Sequence, residues 1–189
     1  SKHADCLAVH WLCRRGCIKV VEVVEEDKDN DASIGNILKI KNDVYGSIDE
    51  LLARYIAPMN DFVQQLVNHR KFLNMAEEDV DEKLRDMKRS TPSGVFYFLC
   101  WNEKYPGYAS LRYIFNTPRY HHIGITPEGF LWNNKNYSNL DALLKDFKKN
   151  PRGTTHNISS SKESIDCSMI GSQAATSSRA SRWGARSSA

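Results

Sequence analysis

Apolar positions along the chain change rhythm in a set order, and the order occurs twice. Residues 7–12, 18–24 and 37–40 are short runs rich in Val, Leu and Ile, which predict three strands. Arg14-Arg15-Gly16 supplies turn chemistry between the first two, so they read as an antiparallel hairpin. The acidic stretch 25–31 predicts a solvated loop, since its only nearby glycine, Gly35, comes too late for a calcium-loop bend. Ser47 then opens a helix, with Glu50 placed to complete a capping box and Ile48, Leu51, Leu52 and Tyr55 forming one apolar stripe. Pro58 predicts a break or a change of direction in that helix. Met59, Phe62, Val63, Leu66 and Val67 predict a second helix, which ends in the basic cluster His69-Arg70-Lys71. A third, highly charged helix is expected over 77–88, with Val80, Leu84 and Met87 on its apolar side, as a spacer.

The rhythm then restarts. Strands are expected at 95–101, 109–115, 123–126 and 130–132, with turns at Tyr105-Pro106-Gly107 and Pro127-Glu128-Gly129. Ser138 and Asp141 are placed to cap a closing helix whose inner face is Leu140, Leu143, Leu144 and Phe147. Lys145, Lys148 and Lys149 suit the negative end of its dipole. At an offset of 92 residues, Asn42/Asn134, Tyr45/Tyr137, Asp49/Asp141, Leu51/Leu143 and Leu52/Leu144 are identical. Leu38/Phe130, Ile40/Trp132, Ile48/Leu140 and Tyr55/Phe147 keep apolar or aromatic character. Solenoid units run at roughly 20–50 residues, so this longer period predicts two copies of one small fold in tandem. The second copy has four predicted strands before its closing helix and the first has three. That mismatch predicts a chain that begins inside the first copy and exposes a sheet edge there.

Composition changes after residue 150. Residues 151–189 hold 11 serines and few bulky apolar side chains, which predicts a disordered tail. The expected organisation is a truncated first domain at 1–57, linking helices at 58–90, a second domain at 91–150 and the tail at 151–189. Net charge is +3, and the excess lies in the tail, so the folded part is neutral and lacks the basic surplus of a duplex-DNA binder. No apolar run reaches the 18 residues a membrane helix needs, and residues 1–5 do not resemble a secretory signal. Cys6, Cys13, Cys17, Cys100 and Cys167 read as reduced thiols without the paired spacing of a zinc site. No hydrolase, metalloprotease, phosphate-loop or dinucleotide motif occurs; His121-His122 reads as two solvated histidines without triad partners. No catalytic residue, metal or cofactor is expected. Phosphate recognition has better material: a phosphorylated side chain carries about −1.5 to −2 charges and needs converging cations. Lys71 and Lys148 are candidates from separate segments.

The segments Tyr45–Met59 (YGSIDELLARYIAPM), Asn68–Phe72 (NHRKF), Tyr105–Tyr108 (YPGY) and Ile125–Phe130 (ITPEGF) resemble a known module. It is the tandem Src homology 2 (SH2) module of the transcription elongation factor and histone chaperone suppressor of Ty six. The resemblance covers residues 1–151 and includes the linking helices. It implies an α+β fold of two SH2-like domains, each a small antiparallel sheet flanked by helices. It further implies a nuclear, monomeric, non-catalytic phosphopeptide reader for the phosphorylated linker of the largest RNA polymerase II subunit. The parent protein would contact histones and nucleic acid, with no membrane role. The family's phosphate-binding arginine would precede Ser1, so Ser1 and Lys2 correspond to the end of its phosphate loop, and Val20 stands where a histidine is usual. In the second half, Phe98-Leu99-Cys100-Trp101 likewise lacks the strand arginine. By resemblance Lys71 and Lys148 are the phosphate ligands, with Arg70 and Lys149 beside them. The competing reading is a single-stranded nucleic-acid binder using Tyr97, Trp101 and Tyr113 with the basic tail.

Overall fold

The structure is a computed structural model that describes residues 5–151. Ser1, Lys2, Cys167 and the Ser-rich tail lie outside the described residues. The described chain forms two antiparallel sheets and a set of helices. The first sheet comprises β1 (Asp5–Arg14), β2 (Cys17–Glu26), β3 (Ile37–Ile40) and β4 (Asp43–Tyr45), in that spatial order. The second comprises β5 (Phe96–Trp101), β6 (Tyr108–Ile114), β7 (Pro118–Thr126), β8 (Gly129–Trp132) and β9 (Lys135–Tyr137). The helices are α1 (Ile48–Leu51), α2 (Ala57–Val67), α3 (Glu77–Ser90) and α4 (Leu140–Lys149).

The repeat holds residue by residue. Adding 92 to the bounds of β3 and β4 gives those of β8 and β9, and Ile48 at the start of α1 maps to Leu140 at the start of α4. The strands β4 and β9 are additions to the sequence reading, because three residues are too few to show a period. The turn before β9 places Asn133 and Asn134 at φ 50° and 59°, as a two-residue hairpin loop requires. Asparagine tolerates this left-handed region better than most residues. Buried partners also correspond: Leu38 with Phe130, Ile40 with Trp132, Tyr45 with Tyr137, Leu51 with Leu143.

Both closing helices begin on a side-chain cap, with local differences from expectation. Ser47 Oγ accepts from Glu50 N–H at 3.1 Å, but Glu50 reaches one residue further back, to Gly46 N–H at 2.7 Å. In the second copy the cap is Asn139, not Ser138, and its Oδ1 accepts from Ala142 N–H at 2.9 Å. The stripe expected on the first helix is only partly covered. Leu51 is buried and Tyr55 half-buried, whereas Ile48 and Leu52 are exposed. The helix does not end at Pro58. Proline offers no N–H to the carbonyl four residues back. The preceding residues Leu52–Ile56 form one π-helical turn, which re-registers the bonds and carries the helix on to Val67.

α3 is more than a spacer. Its Val80 and Leu84 pack with Phe98, Cys100 and Ile114 on one face of the second sheet. α2 and α4 close the other face through Met59, Val63, Leu66, Leu143, Leu144 and Phe147. The tip of the β1–β2 hairpin joins that same core: Trp11 and Cys13 are buried in it, and Trp11 Nε1 donates to Asn60 Oδ1 at 2.8 Å. Pairing of β2 with β3 and of β7 with β8 equates Val24 with Gly124, and hence the outer face of β1–β2 with the face that α3 covers. There the first sheet shows Leu12, Ile18 and Val20 at 48–60% exposure, with no described helix over them.

Candidate functional site

Lys71 is held by backbone, not by its own charge. After α2 ends at Asn68, residues 71–73 lie along the free edge of β5. Leu99 N–H donates to Lys71 O and Leu73 N–H donates to Leu99 O, both at 2.8 Å. The Phe72 ring meets Trp101 edge-on at 5.9 Å. His69 steers the approach: its Nδ1 accepts from Lys71 N–H at 3.2 Å, and its Nε2 lies 3.6 Å from Asp141 Oδ1 in the first turn of α4. The segment 69–71 therefore tracks α4, from Asp141 near its start towards Lys148 in its last turn.

The two lysines meet at one ring. Lys71 Nζ lies 5.1 Å and Lys148 Nζ 5.6 Å from the centroid of Tyr97, whose own position is set by edge-on packing against Phe147 at 5.5 Å. Lys71 Nζ is also 5.4 Å from the Phe98 ring, and Lys83 Nζ of α3 is 5.6 Å from that ring. Lys71 at the β5 edge thus reaches both rings, with Lys148 beside Tyr97 on the α4 face of the sheet and Lys83 beside Phe98 on the α3 face. Among the described residues none of the three forms an ion pair with a carboxylate. Cation–π attraction of about 0.5–1 kcal/mol at exposed sites orients such groups without discharging them. Like charges around one ring are relieved by an anion placed between them.

The weaker candidates separate. Arg70 is exposed and forms no ion pair with a described residue. Lys149 Nζ sits 3.3 Å from Asp146 Oδ1, and Lys135 Nζ 3.0 Å from Asp146 Oδ2. Hydrogen bonds from Lys135, Tyr137 and Lys149 hold that carboxyl down at about 2, so it stays ionised and offsets Lys149. Lys83 was missed by sequence reasoning, because periodicity shows that α3 is amphipathic but not which strand it docks on.

The buried cation of the second sheet is already spent. Arg112 Nε and Nη2 donate to Asp81 at 2.7 and 2.6 Å, and its Nη1 lies 3.1 Å from Glu77 Oε1. Glu77 also accepts from Ser110 Oγ, and Asn102 Nδ2 donates to Ser110 Oγ at 2.9 Å. The Asp81 hydrogen bonds raise the arginine pKa further, so the group remains charged and fully matched by carboxylates. A phosphate arriving there would face a net negative cluster.

The SH2 domain family profile matches residues 1–150. This chain belongs to the SH2 domain family. It is 32% identical over 134 residues to the transcription elongation factor SPT6-like protein of Arabidopsis thaliana, covering 68% of this chain and 10% of that protein. It is 31% identical over 157 residues to transcription elongation factor SPT6 of Drosophila melanogaster, covering 79% of this chain and 9% of that protein. The chain therefore spans about a tenth of the length of these relatives. Among solved structures it resembles the tandem SH2 domain in transcription elongation factor Spt6 that binds the phosphorylated RNA polymerase II C-terminal repeat domain. That match has a TM-score of 0.71 and 23% identity, and covers 78% of this chain and 77% of the other. The tandem SH2 domains of Spt6 from Antonospora locustae match with a TM-score of 0.65 at 20% identity, with the same coverage. The fold is thus that of tandem SH2 domains, as the resemblance implied.

In this SH2 module the paired histidines are not solvated. β7 starts at Pro118, earlier than predicted, and carries both residues into the sheet. His121 is buried, stacked on Tyr113 at 5.2 Å and 14°, and flanked by Trp132 and Phe147. His122 is half-buried on the other face, its Nδ1 2.9 Å from Asn102 Nδ2. Burial pushes both imidazoles below their ordinary 6.5. An unfolded chain therefore takes up protons first, and stability is full above about pH 7 and declines as pH falls through the sixes. Urea titrations at stepped pH should show that decline, and His121→Phe should flatten it in part, leaving the contribution of His122. The other aromatics are equally committed: Trp101 and Tyr113 are buried and Tyr97 half-buried, so they do not form an open stacking platform. Cys13, Cys17 and Cys100 are free thiols, and no cluster among the described residues could hold a metal ion.

Proposed function

We propose that this SH2 module reads phosphorylated peptide, and that its ligand is a phosphorylated segment of the largest RNA polymerase II subunit, in the linker ahead of the C-terminal repeat domain. The observation that carries the reading is the convergence of Lys71 and Lys148, 77 positions apart in the chain, on the ring of Tyr97. Two ammonium groups without carboxylate partners suit a group of about −1.5 to −2 charges with three acceptor oxygens. Charged hydrogen bonds contribute about 1.5–3 kcal/mol each, enough for a phosphate to decide whether a peptide binds. The Spt6 structure with the same fold binds the phosphorylated repeat domain, which supports the polymerase tail as the source of ligand. In this reading the parent protein is a nuclear elongation factor and histone chaperone that contacts histones and nucleic acid. The module is a non-catalytic monomer without cofactor.

The test is fluorescence anisotropy with four peptides, the linker and the repeat sequence, each with and without phosphate. Binding restricted to phosphorylated peptides, tightest for the linker, is expected. Tighter binding of the phosphorylated repeat would reassign the ligand within the polymerase tail. Equal binding with and without phosphate would overturn the phosphopeptide reading.

A further inference from the structure

The β1–β2 hairpin carries a feature that phosphate recognition does not use. Its strands pair Leu12 with Ile18 and then Arg14 with Cys17, so Cys13 is an extra residue in a β-bulge. In a bulge two residues oppose one on the partner strand. Here that places Cys13 and Arg14 together across from Cys17. The Cys13 and Cys17 sulfurs stand 3.4 Å apart, and Cys13 Sγ also donates to Cys17 O at 3.2 Å. Both thiols face the core shared with the second sheet, and the Arg14 guanidinium beside them lies 5.8 Å from the Trp101 ring. A disulfide needs sulfurs at about 2.05 Å, a gap that side-chain rotation at the partly exposed Cys17 can close. Ordinary turn residues, Arg14-Arg15-Gly16, close the loop between them, with Gly16 at φ 75°. The other two described cysteines are elsewhere: Cys6 is exposed further along β1, and Cys100 is buried under α3, where burial pushes its thiol up to about 12.

We propose that Cys13 and Cys17 are a redox-modification site, oxidised to an intramolecular disulfide by a low-molecular-weight disulfide such as oxidised glutathione. Cys17 is half-buried and Cys13 is 3% exposed, so the oxidant meets Cys17 first. The Cys17 thiolate, having lost its proton to solvent, attacks one glutathione sulfur. A protein–glutathione bond forms and the first glutathione leaves as thiolate. Cys13 then loses its proton and attacks Cys17 Sγ, displacing the second glutathione. Two protein thiols are oxidised and one glutathione disulfide is reduced to two thiols. Burial holds the Cys13 thiol up at about 11, so this second step depends on its closeness to Cys17 more than on its ionisation. The product staples the hairpin where it enters the core of the second sheet.

The test treats the folded 189-residue chain with oxidised glutathione, blocks the remaining thiols with an alkylating agent, digests with trypsin and measures peptide masses. Trypsin cuts after Arg14 and Arg15, inside the loop, so Cys13 and Cys17 fall on separate peptides that stay joined only through a disulfide. Cys6 shares the tryptic peptide of Cys13 and takes the alkyl group, so the expected result is a joined pair two hydrogens lighter than the two peptides alkylated at Cys6 alone, lost on treatment with a reducing agent. Cys13→Ala should accumulate glutathione on Cys17 instead, because the displacing thiol is gone. Glutathione retained on Cys17 in the unaltered chain, alkyl groups on both Cys13 and Cys17, or a joined pair formed only in denaturant would each overturn the proposal.

Discussion

Replacing Arg112 with methionine is expected to destabilise the fold by about 3–5 kcal/mol, the usual cost of removing one partner from a buried ion pair. The guanidinium is the only cation in contact with Asp81 among the described residues, and it also faces Glu77. Both carboxylates have side chains no more than 20% exposed, so neither regains full hydration when the arginine leaves. Ser110 and Asn102 depend on the same network through Glu77. For a domain of this size a loss of that order lowers the melting temperature by about 10 °C, which calorimetry would register. The combination Arg112→Met, Asp81→Leu, Glu77→Gln should recover much of the loss, because the buried charges are removed together. A single Arg112→Met variant that melts with the unaltered protein would mean water already satisfies the carboxylates.

The second large effect is on binding. Lys71→Ala with Lys148→Ala removes two charge-assisted contacts of about 1.5–3 kcal/mol each, so affinity for the phosphorylated peptide should fall by about 100-fold or more. Thermal stability should barely change. Neither ammonium forms an ion pair with a described carboxylate, and the backbone bonds of Lys71 to Leu99 survive the substitution. Lys149→Ala should cost far less, since Asp146 already offsets that charge. Unchanged affinity in the double variant, with the fold intact, would remove the lysines from the phosphate contact.

The repeat made most of the fold legible before any coordinates. Identical or like-natured residues at one offset align β3, the turn and the start of α1 with β8, the turn and the start of α4, and the strand-then-helix order follows from apolar spacing; only the short β4 and β9 needed coordinates. What escaped was whatever depends on a neighbour. Leu52 and Leu144 are the same residue at the same repeat position, yet one is 43% exposed and the other 2%. Spacing identifies a face but not what packs on it. His121 and His122 were misread for the same reason, since a histidine pair looks polar until the strand on which it lies has helices on both faces. Lys71 and Lys148 were visible as charges. Their shared ring was not, because residues 71–73 join the β5 edge through backbone bonds that carry no side-chain signature. Lys83 reaches Phe98 on the opposite face only because α3 docks there.

The π-helical turn before Pro58 makes one axle of what the residue pattern reads as two rods. Leu51, at its head, is sealed in the core of the first sheet, and Met59, Val63 and Leu66, along its shaft, in the core of the second. Neither sheet can shed its helix without pulling on the one that serves the other. Thermal or chemical unfolding is thereby geared into a single cooperative event, and an isolated half cut out at the proline would lose a bearing surface that its partner had provided.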